Sequence, residues 1–371
     1  MKRAVARIDL GAIERNVDRL AGSLEGDADL CAVVKANAYG HGMVPSAQAA
    51  LRGGASMLAV ATAGEAVTLR KDIPDAPVFV MGALSGEEAA AAFEARAEIS
   101  IWREASRELL GTLAAETGLV PRVHVKHDSG MGRLGLRDSG EVAELIDAVA
   151  EDERMELAAV WTHFATADDD KEFMSEQLER FRAIAEPAKE RHPGIAIHAA
   201  NSAATLREPR SHFDMVRCGV AIYGLDPFGH DPRDHGLEPA LELCSYLADV
   251  KDFGPGESAG YGRTWTAEEQ TWIAPVPIGY GDGWRRALSN NAEALVGGER
   301  HPVVGTVSMD NITVDLGPET GAAAFDEVVL IGERDSERIL AEDVARALGT
   351  INYEVTTGLL PRVEREYEEG S

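Results

Sequence analysis

Eight short apolar runs, each followed by a helix-patterned segment, fill the first two thirds of the chain. This alternation restricts the fold more than any other feature. The runs are Cys31–Val34, Leu58–Val60, Val78–Met81, Ile99–Trp102, Val123–Val125, Leu157–Trp161, Ile195–His198 and Met215–Cys218. Between them, Ala/Glu/Arg/Leu-rich stretches carry helical spacing: Ile13, Val17 and Leu20 form a stripe, and Glu141, Leu145 and Val149 share a face. Strands alternating with helices make parallel βαβ units. Eight such units in roughly 220 residues is the count of a (β/α)8 barrel, an α/β fold of about 250 residues. A doubly wound sheet shares the alternation, and the count alone leaves it open.

Near residue 230 the pattern changes. HDPRDHGLEP reads as a polar linker, which puts an α/β barrel at residues 1–230 and a second, mainly β domain at 231–371. The second part holds the strand-like runs Leu247–Val250, Trp272–Pro275, Ala294–Val296, Val303–Val307, Ile312–Leu316 and Val328–Ile331. The alternating segment Ala4–Leu10 is expected to be a strand that could join that domain. The closing EREYEEGS reads as a solvated acidic tail.

Charge narrows the partners. The chain has 36 basic and 63 acidic residues, a net charge of −27, which disfavours nucleic acid and anionic membranes. No stretch reaches the roughly 18 apolar residues of a membrane span. Arg7, Asp9, Glu14 and Arg15 interrupt any signal-peptide core. Cys31, Cys218 and Cys244 form no motif and cannot all pair, which fits a reducing cytoplasm. No metal is expected. Only 7 of the 36 cations are lysine, so each lysine is worth inspecting.

In a barrel the site lies where the strands end. Lys35 follows the first run in AVVKANAYGHG; a lysine partly desolvated there becomes nucleophilic, as Schiff-base chemistry needs. Taken alone it reads first as an ordinary lysine reaching solvent. The fifth run ends in Lys126, with Arg133 seven residues on. The sixth leads to His163, the seventh to His198, Asn201 and Ser202, and the eighth holds Arg217 and Gly219. Five such ends on one rim are harder to dismiss than one. Ser202 and Gly219 follow strands seven and eight, where barrels commonly bind phosphate. The second domain offers Tyr261 in AGYGRTW, Tyr280 in PIGYGDGW, Met309 and Asp310 in VSMDN, and Tyr353 in INYE. Each tyrosine alone reads more readily as a packed aromatic; flanking glycines at Tyr261 and Tyr280 suit a loop that presents the ring.

AVVKANAYGHG, KHDSGMGRLG, WTHFA, HAANSAA, MVRCGVAIYG, AGYGRTW, PIGYGDGW, VSMDN and INYEV resemble, in order and spacing, the motifs of the alanine racemase family. The likeness runs from residue 3 to residue 365. It implies a pyridoxal-phosphate enzyme with an N-terminal barrel and a C-terminal β domain, working in the cytoplasm as a head-to-tail homodimer that supplies D-alanine for peptidoglycan. By the same resemblance Lys35 holds the cofactor. Tyr39, Ser202, Gly219, Val220 and Tyr353 cradle its phosphate, with Asn201 beside them. Arg217 faces the pyridine nitrogen, and Arg133 contacts the phenolic oxygen and the substrate. Lys126 resembles a lysine carbamylated in many members. Tyr261 resembles the second base, presented by the other subunit, with His163 between it and Arg217. Met309 and Tyr280 lie on the substrate side, with Asp310 behind them. His127, Ser308, Thr306 and Glu364 depart from the commonest pattern without touching a catalytic position.

The chemistry agrees. Racemisation returns a proton to the opposite face, so two bases on opposite sides are needed. Lys35 serves the D-isomer by the resemblance and Tyr261 the L-isomer. A tyrosine of pKa ~10 needs positive charge beside it to act as a base at neutral pH, and His163 with Arg217 is expected to supply it. An arginine at the ring nitrogen donates a hydrogen bond but hardly a proton, which limits electron withdrawal and side reactions. A decarboxylase of the same architecture would carry an acid there and a Gly-rich phosphate loop. A non-catalytic cofactor-binding barrel would lack Tyr261 and the β domain. A racemase of another or broader amino-acid range remains the nearest alternative.

Overall fold

The computed structural model describes residues 2–369. The chain divides into two compact units. The first comprises Ile13–Ala38 and Met43–Ile222; the second comprises the residues up to Ala12, the short segment Tyr39–Gly42, and everything from Tyr223 onward.

A strand β1 (Val5–Asp9) opens the chain and belongs to the second unit. The first unit is a closed barrel of eight parallel strands. They are β2 (Asp29–Val33), β3 (Met57–Val60), β4 (Val78–Val80), β5 (Glu98–Ile101), β6 (Arg122–Lys126), β7 (Glu156–Trp161), β8 (Ala196–His198) and β9 (Met215–Cys218). Closure comes from β9 pairing with β2, Met215 opposite Asp29 and Arg217 opposite Cys31. Helices return the chain between strands. Ile13, Val17 and Leu20 are fully buried, as are Val142, Leu145, Ile146 and Val149 of the helix Ser139–Glu151; each side chain so buried contributes roughly 1.5–3 kcal/mol. Glu141 of the expected stripe is instead in that helix's first turn, where its N–H is capped by Asp138.

Strand alternation decides what fills the barrel. On β5, Ser100 accepts a hydrogen bond from the Trp161 indole at 3.0 Å, so Glu98 and Ser100 face inward. On β6 the inward set is His124 and Lys126, while Val123 and Val125 face the helices. The lumen is therefore unusually polar.

The second unit is a ten-stranded sheet. Its strands are β1, β10 (Leu241–Tyr246), β11 (Lys251–Phe253), β14 (Thr271–Val276), β15 (Ala292–Val296), β16 (Glu299–Val303), β17 (Ile312–Gly317), β18 (Glu327–Arg334), β19 (Glu337–Ile339) and β20 (Glu364–Glu368), with the small pair β12 (Ser258–Ala259) and β13 (Trp265–Thr266) apart from it. β1 pairs antiparallel with β10 and parallel with β20. Glu364–Glu368 of the polar C-terminal run is thus an edge strand rather than a solvated tail, and residues 370–371 of that run lie outside the described residues. Lys2 reaches Glu364 and Glu366 at 2.6 and 2.9 Å, and charges on an edge strand discourage pairing with other chains.

Three further expectations are corrected. Leu247–Val250 is no strand: Leu247 N–H goes to Asp326, Ala248 N–H to Pro275, and the Asp249 side chain takes the Val250 N–H, drawing the backbone out of any ladder. The run at 303–307 ends its ladder at Val303, because Gly305 turns the chain at φ +73. Residues 230–239 do not form a linker; Pro232 and Leu237 are buried and Asp231 pairs with Arg338 within the second unit. All three cysteines are buried thiols. Among the described residues no helix is long and apolar enough to cross a membrane.

Candidate active site

Lys35 stands just past β2, where the chain does something L-residues rarely do. Ala36, Asn37, Ala38 and Tyr39 all adopt left-handed backbone, with φ of 52, 55, 55 and 53 degrees. Each such residue costs roughly 1–2 kcal/mol, so the turn persists only because its surroundings hold it. Ala38 N–H bonds to the Val34 carbonyl at 2.9 Å, and Met43 N–H to the Asn37 side chain at 2.9 Å. The Glu65 carboxylate is the main clamp. One oxygen accepts the Ala36 N–H at 2.6 Å; the other accepts those of Ala61 and Thr62 at 2.9 and 3.1 Å, closing the capping box of the helix Ala63–Asp72. Glu65→Ala is therefore expected to destabilise the fold by on the order of 1–2 kcal/mol, read as a lowered denaturant midpoint at unchanged slope. An unchanged midpoint would show that the turn is held without Glu65.

Burial, with Arg133 and then Arg217 adding positive potential, pushes the Lys35 amine below the ordinary lysine range, against a smaller opposing pull from Glu65. Lys126, at the end of β6, is more enclosed: its ammonium lies 3.8 Å over the Trp161 ring, and burial with Arg217 and Arg133 brings it down to about 7. Arg133 itself is exposed, on the loop after β6.

Arg217 is the buried centre of the rim. One nitrogen donates to His198 Nδ1 at 2.9 Å; the other donates to the carbonyls of Thr162 and Ala199, both at 2.8 Å, and lies 3.4 Å from His163 Nδ1. None of these partners is a carboxylate. Burial lowers even this guanidinium, to about 10. A guanidinium has five N–H donors, so capacity remains for another acceptor. His163 does not supply the expected positive charge. Burial, then Arg217, Lys126, Arg133 and Lys35, hold its imidazole well below the ordinary range, so it is neutral and only hydrogen-bonds. Positive potential at this rim comes from the arginines.

At the ends of β8 and β9 the backbone forms a donor cluster. Buried Ser202 accepts hydrogen bonds from Gly219 N–H at 2.9 Å and Ala221 N–H at 3.3 Å, with Val220 between them. A hydroxyl that accepts two bonds can still donate its own proton, so Ser202, with the Val220 N–H between those two donors, suits an anion. Asn201 is occupied as a helix cap, its oxygen accepting Ala204 N–H at 3.0 Å.

The remaining residues lie in the second unit. Tyr39 packs its ring 5.2 Å from Tyr223 and 6.0 Å from Tyr353. Gly40, at φ +90, has no room for a Cβ, which would fall 2.1 Å from the Thr356 carbonyl. Tyr261 is 74 % exposed, the largest exposure of any large apolar or aromatic side chain described. Its carbonyl accepts the Thr306 hydroxyl at 2.8 Å. Tyr280 and Met309 are exposed as well, on strands of loop stitched together by Tyr280 N–H to Ser308 at 3.0 Å and Gly281 N–H to Met309 at 2.8 Å. Gly279 and Gly281 permit that approach, since a Cβ on Gly279 would sit 2.3 Å from the Ser308 carbonyl. Behind them, buried Asp282 takes both nitrogens of Arg3 at 2.7 and 2.8 Å, and Asp310 pairs with Arg362 at 2.7 Å. Asp310 thus supports the loop that carries Met309.

Sequence reasoning missed Glu65, Glu98 and His124. Glu65 was visible as the third residue of a capping box, but its hold on Ala36 crosses from one βα-loop to another. Glu98 and His124 lie before the strand ends.

Known proteins resemble this chain along nearly its whole length. A family model described as alanine racemase, N-terminal domain, matches residues 8–227, and one described as alanine racemase, C-terminal domain, matches residues 240–367. The chain is 42 % identical over 365 residues to an alanine racemase of Geobacillus stearothermophilus, covering 97 % of this chain and 92 % of that one. It is 42 % identical over 373 residues to one of Frankia casuarinae, covering 98 % and 96 %. The crystal structure of alanine racemase from D-cycloserine-producing Streptomyces lavendulae superposes with a TM-score of 0.94 at 36 % identity, covering 100 % of this chain and 98 % of that one.

Proposed function

The chain belongs to the alanine racemase family, and from that premise we propose how its residues divide the work of interconverting L- and D-alanine with pyridoxal 5'-phosphate. The donor set suits this cofactor: the Ser202 hydroxyl and the Val220 N–H for a phosphate, with Gly219 leaving room beside them, a nucleophilic lysine, and arginines for an aromatic nitrogen and oxygen. Lys35 holds the cofactor. Tyr39 and Tyr353 complete the phosphate cradle with Asn201 close by, Arg217 faces the ring nitrogen, and Arg133 faces the phenolic oxygen and the substrate carboxylate. When bound, the cofactor supplies the electron sink that acidifies the α-C–H bond.

The chain's own residues then decide where protons go. Lys35 Nζ, its proton affinity lowered by burial, takes or returns the α-proton on one face; Tyr261 Oη does so on the other. Met309 N–H and Tyr280 bound the substrate. The observation that carries this reading is Arg217, buried among imidazoles and carbonyls with no acid in contact. It withholds a proton from the ring nitrogen, which suits reversible proton transfer and not decarboxylation.

Tyr261, Tyr280 and Met309 stand exposed on ordered loops, which is unusual for residues of this kind unless something covers them. That something is a second copy of this chain, whose barrel mouth they complete in a homodimer, with the barrel as cofactor unit and the β domain as donor to the partner. The enzyme acts in the cytoplasm and feeds D-alanine to cell-wall synthesis. Initial rates on a panel of L-amino acids test the assignment: alanine is expected to turn over fastest, and a preference for serine or lysine would transfer the reading to a racemase of another range.

Lys126 is carbamylated in this reading. Only the neutral amine attacks carbon dioxide, and a group titrating at about 7 offers it at neutral pH. The resulting negative charge suits a site where Arg133 and Arg217 already act on this nitrogen. In ¹³C-bicarbonate buffer a carbamate resonance absent from Lys126→Ala is expected, growing as pH rises through about 7 and fading below it. A spectrum without that resonance at pH 8 would refute the modification.

A further inference from the structure

Beneath Arg217 a line of hydrogen bonds runs down the barrel lumen. Arg217 donates to His198 Nδ1 at 2.9 Å. His198 Nε2 lies 3.0 Å from His124 Nδ1, and His124 Nε2 lies 2.6 Å from Glu98 Oε2. The line crosses from β9 to β8, β6 and β5, and ends at the first residue of its last strand. Arg122 meets it there, donating to the other Glu98 oxygen at 2.9 Å. Aromatic rings hold both imidazoles in place: Phe79 stacks on His124 at 4.0 Å, and Trp161 stacks nearly parallel to His198 at 5.6 Å.

The protons of this line can be deduced. A guanidinium only donates, so His198 Nδ1 accepts and its single proton sits on Nε2. That proton goes to His124 Nδ1, so the His124 proton sits on Nε2. It is donated to Glu98, which accepts as a carboxylate. Reasoning from the acid end gives the same answer. Burial holds both imidazoles below the ordinary range, so each is neutral with one proton. Burial works to raise Glu98, yet its contacts with His124 and Arg122 outweigh that and keep it ionised.

We propose that Glu98 is the positioning residue for Arg217: through the Nε2–H tautomers of His124 and His198 it presents a lone pair to the guanidinium and serves as its counter-ion across the lumen. A buried cation without a partner is expensive, and the rim itself provides no carboxylate contact for Arg217. The chain links that charge to an anion while keeping the acid away from the reacting atoms. The other charged or titratable groups facing it are His163, Lys35, Lys126 and the thiols of Cys31 and Cys218, none of them a ready anion.

Glu98→Gln keeps size and loses the one-way order. If its amide oxygen faces His124, its NH2 opposes Arg122. If its NH2 faces His124, both tautomers reverse and His198 Nδ1–H points at Arg217. The proposal rests on the racemase reading only for its kinetic arm, so the primary readout is independent of activity. Nitrogen-15 NMR of the histidine rings in the full-length purified protein is expected to show pyridine-like Nδ1 and protonated Nε2 for both His124 and His198. Glu98→Gln is expected to change the His198 signals and to lower kcat roughly tenfold to a hundredfold with KM for alanine changed far less. Glu98→Asp, which retains the carboxylate, is expected to keep the wild-type tautomers and recover most of kcat. Protonated Nδ1 at His198 in the wild type overturns the proposal even if no variant folds. So do unchanged tautomers and unchanged kcat in Glu98→Gln. A protein with these tautomers that fails to racemise alanine would sink the racemase reading and leave the positioning chain standing.

Discussion

Lys35→Ala is expected to lose alanine racemisation by at least ~10⁴-fold, because under the proposed assignment it removes both the covalent anchor and a base acting on one face of the substrate. Two lysines compete for the anchor, since burial lowers Lys35 and Lys126 alike. Access separates them. Lys126 is packed over Trp161 at 3.8 Å inside the barrel, whereas Lys35 is half-buried at the head of a βα-loop. The left-handed turn that follows Lys35 is the costliest backbone at the rim, and such strain persists where position matters. The purified protein is expected to be yellow, and borohydride treatment before digestion should leave a pyridoxyl group on the Lys35 peptide. A label on Lys126, or none, would remove Lys35 from its role whatever the activity of the variant.

How much of this was legible beforehand depends on the range of the forces involved. The barrel strands were readable because each parallel strand is buried on both sides and so presents a continuous apolar run, as in Val78–Val80 or Met215–Cys218. The stripe Ile13, Val17, Leu20 was readable for the same local reason. Strand β20 was not, because an edge strand has little to bury and its alternating charges look like a tail. The placement of Lys35, Ser202 and Arg217 at barrel strand ends was legible through strand-end logic, and the exposed loop that carries Tyr261 through its flanking glycines. Glu98 and His124 were not, since an acid opening a strand and a histidine between two valines look like ordinary surface and core residues. Only closure of the barrel brings β5, β6, β8 and β9 to one lumen. The charge assigned to His163 failed for a related reason: burial, and then cations contributed by three other strand ends, disfavour a charged imidazole, and no local pattern displays either.

Mixing two inactive variants is expected to restore activity. Tyr261 and Met309 belong to the second unit and Lys35 to the first. In a head-to-tail C2 dimer each barrel mouth receives the loops of the other protomer, so every site draws one base from each chain. Lys35→Ala and Tyr261→Phe homodimers each lack one base at both sites. In the heterodimer one site lacks both bases and the other has both intact. With free exchange at equal mixing about half the dimers are heterodimers with one working site of two, so recovery approaches roughly a quarter of the wild-type rate. No recovery, with exchange confirmed by mass-tagged subunits, would place both bases on one chain and leave the exposure of Tyr261 unexplained. Tyr261→Phe alone carries a second signature. If Tyr261 acts on a single face as proposed, solvent exchange of the α-hydrogen should fall far more for L-alanine than for D-alanine, by ~10²-fold or more, the scale of one general base. Arg217 and Arg133 in the proposed roles favour neither face, so losing either should slow both isomers together. Equal losses for the two isomers in Tyr261→Phe would keep the dimer and remove the tyrosine as the face-specific base.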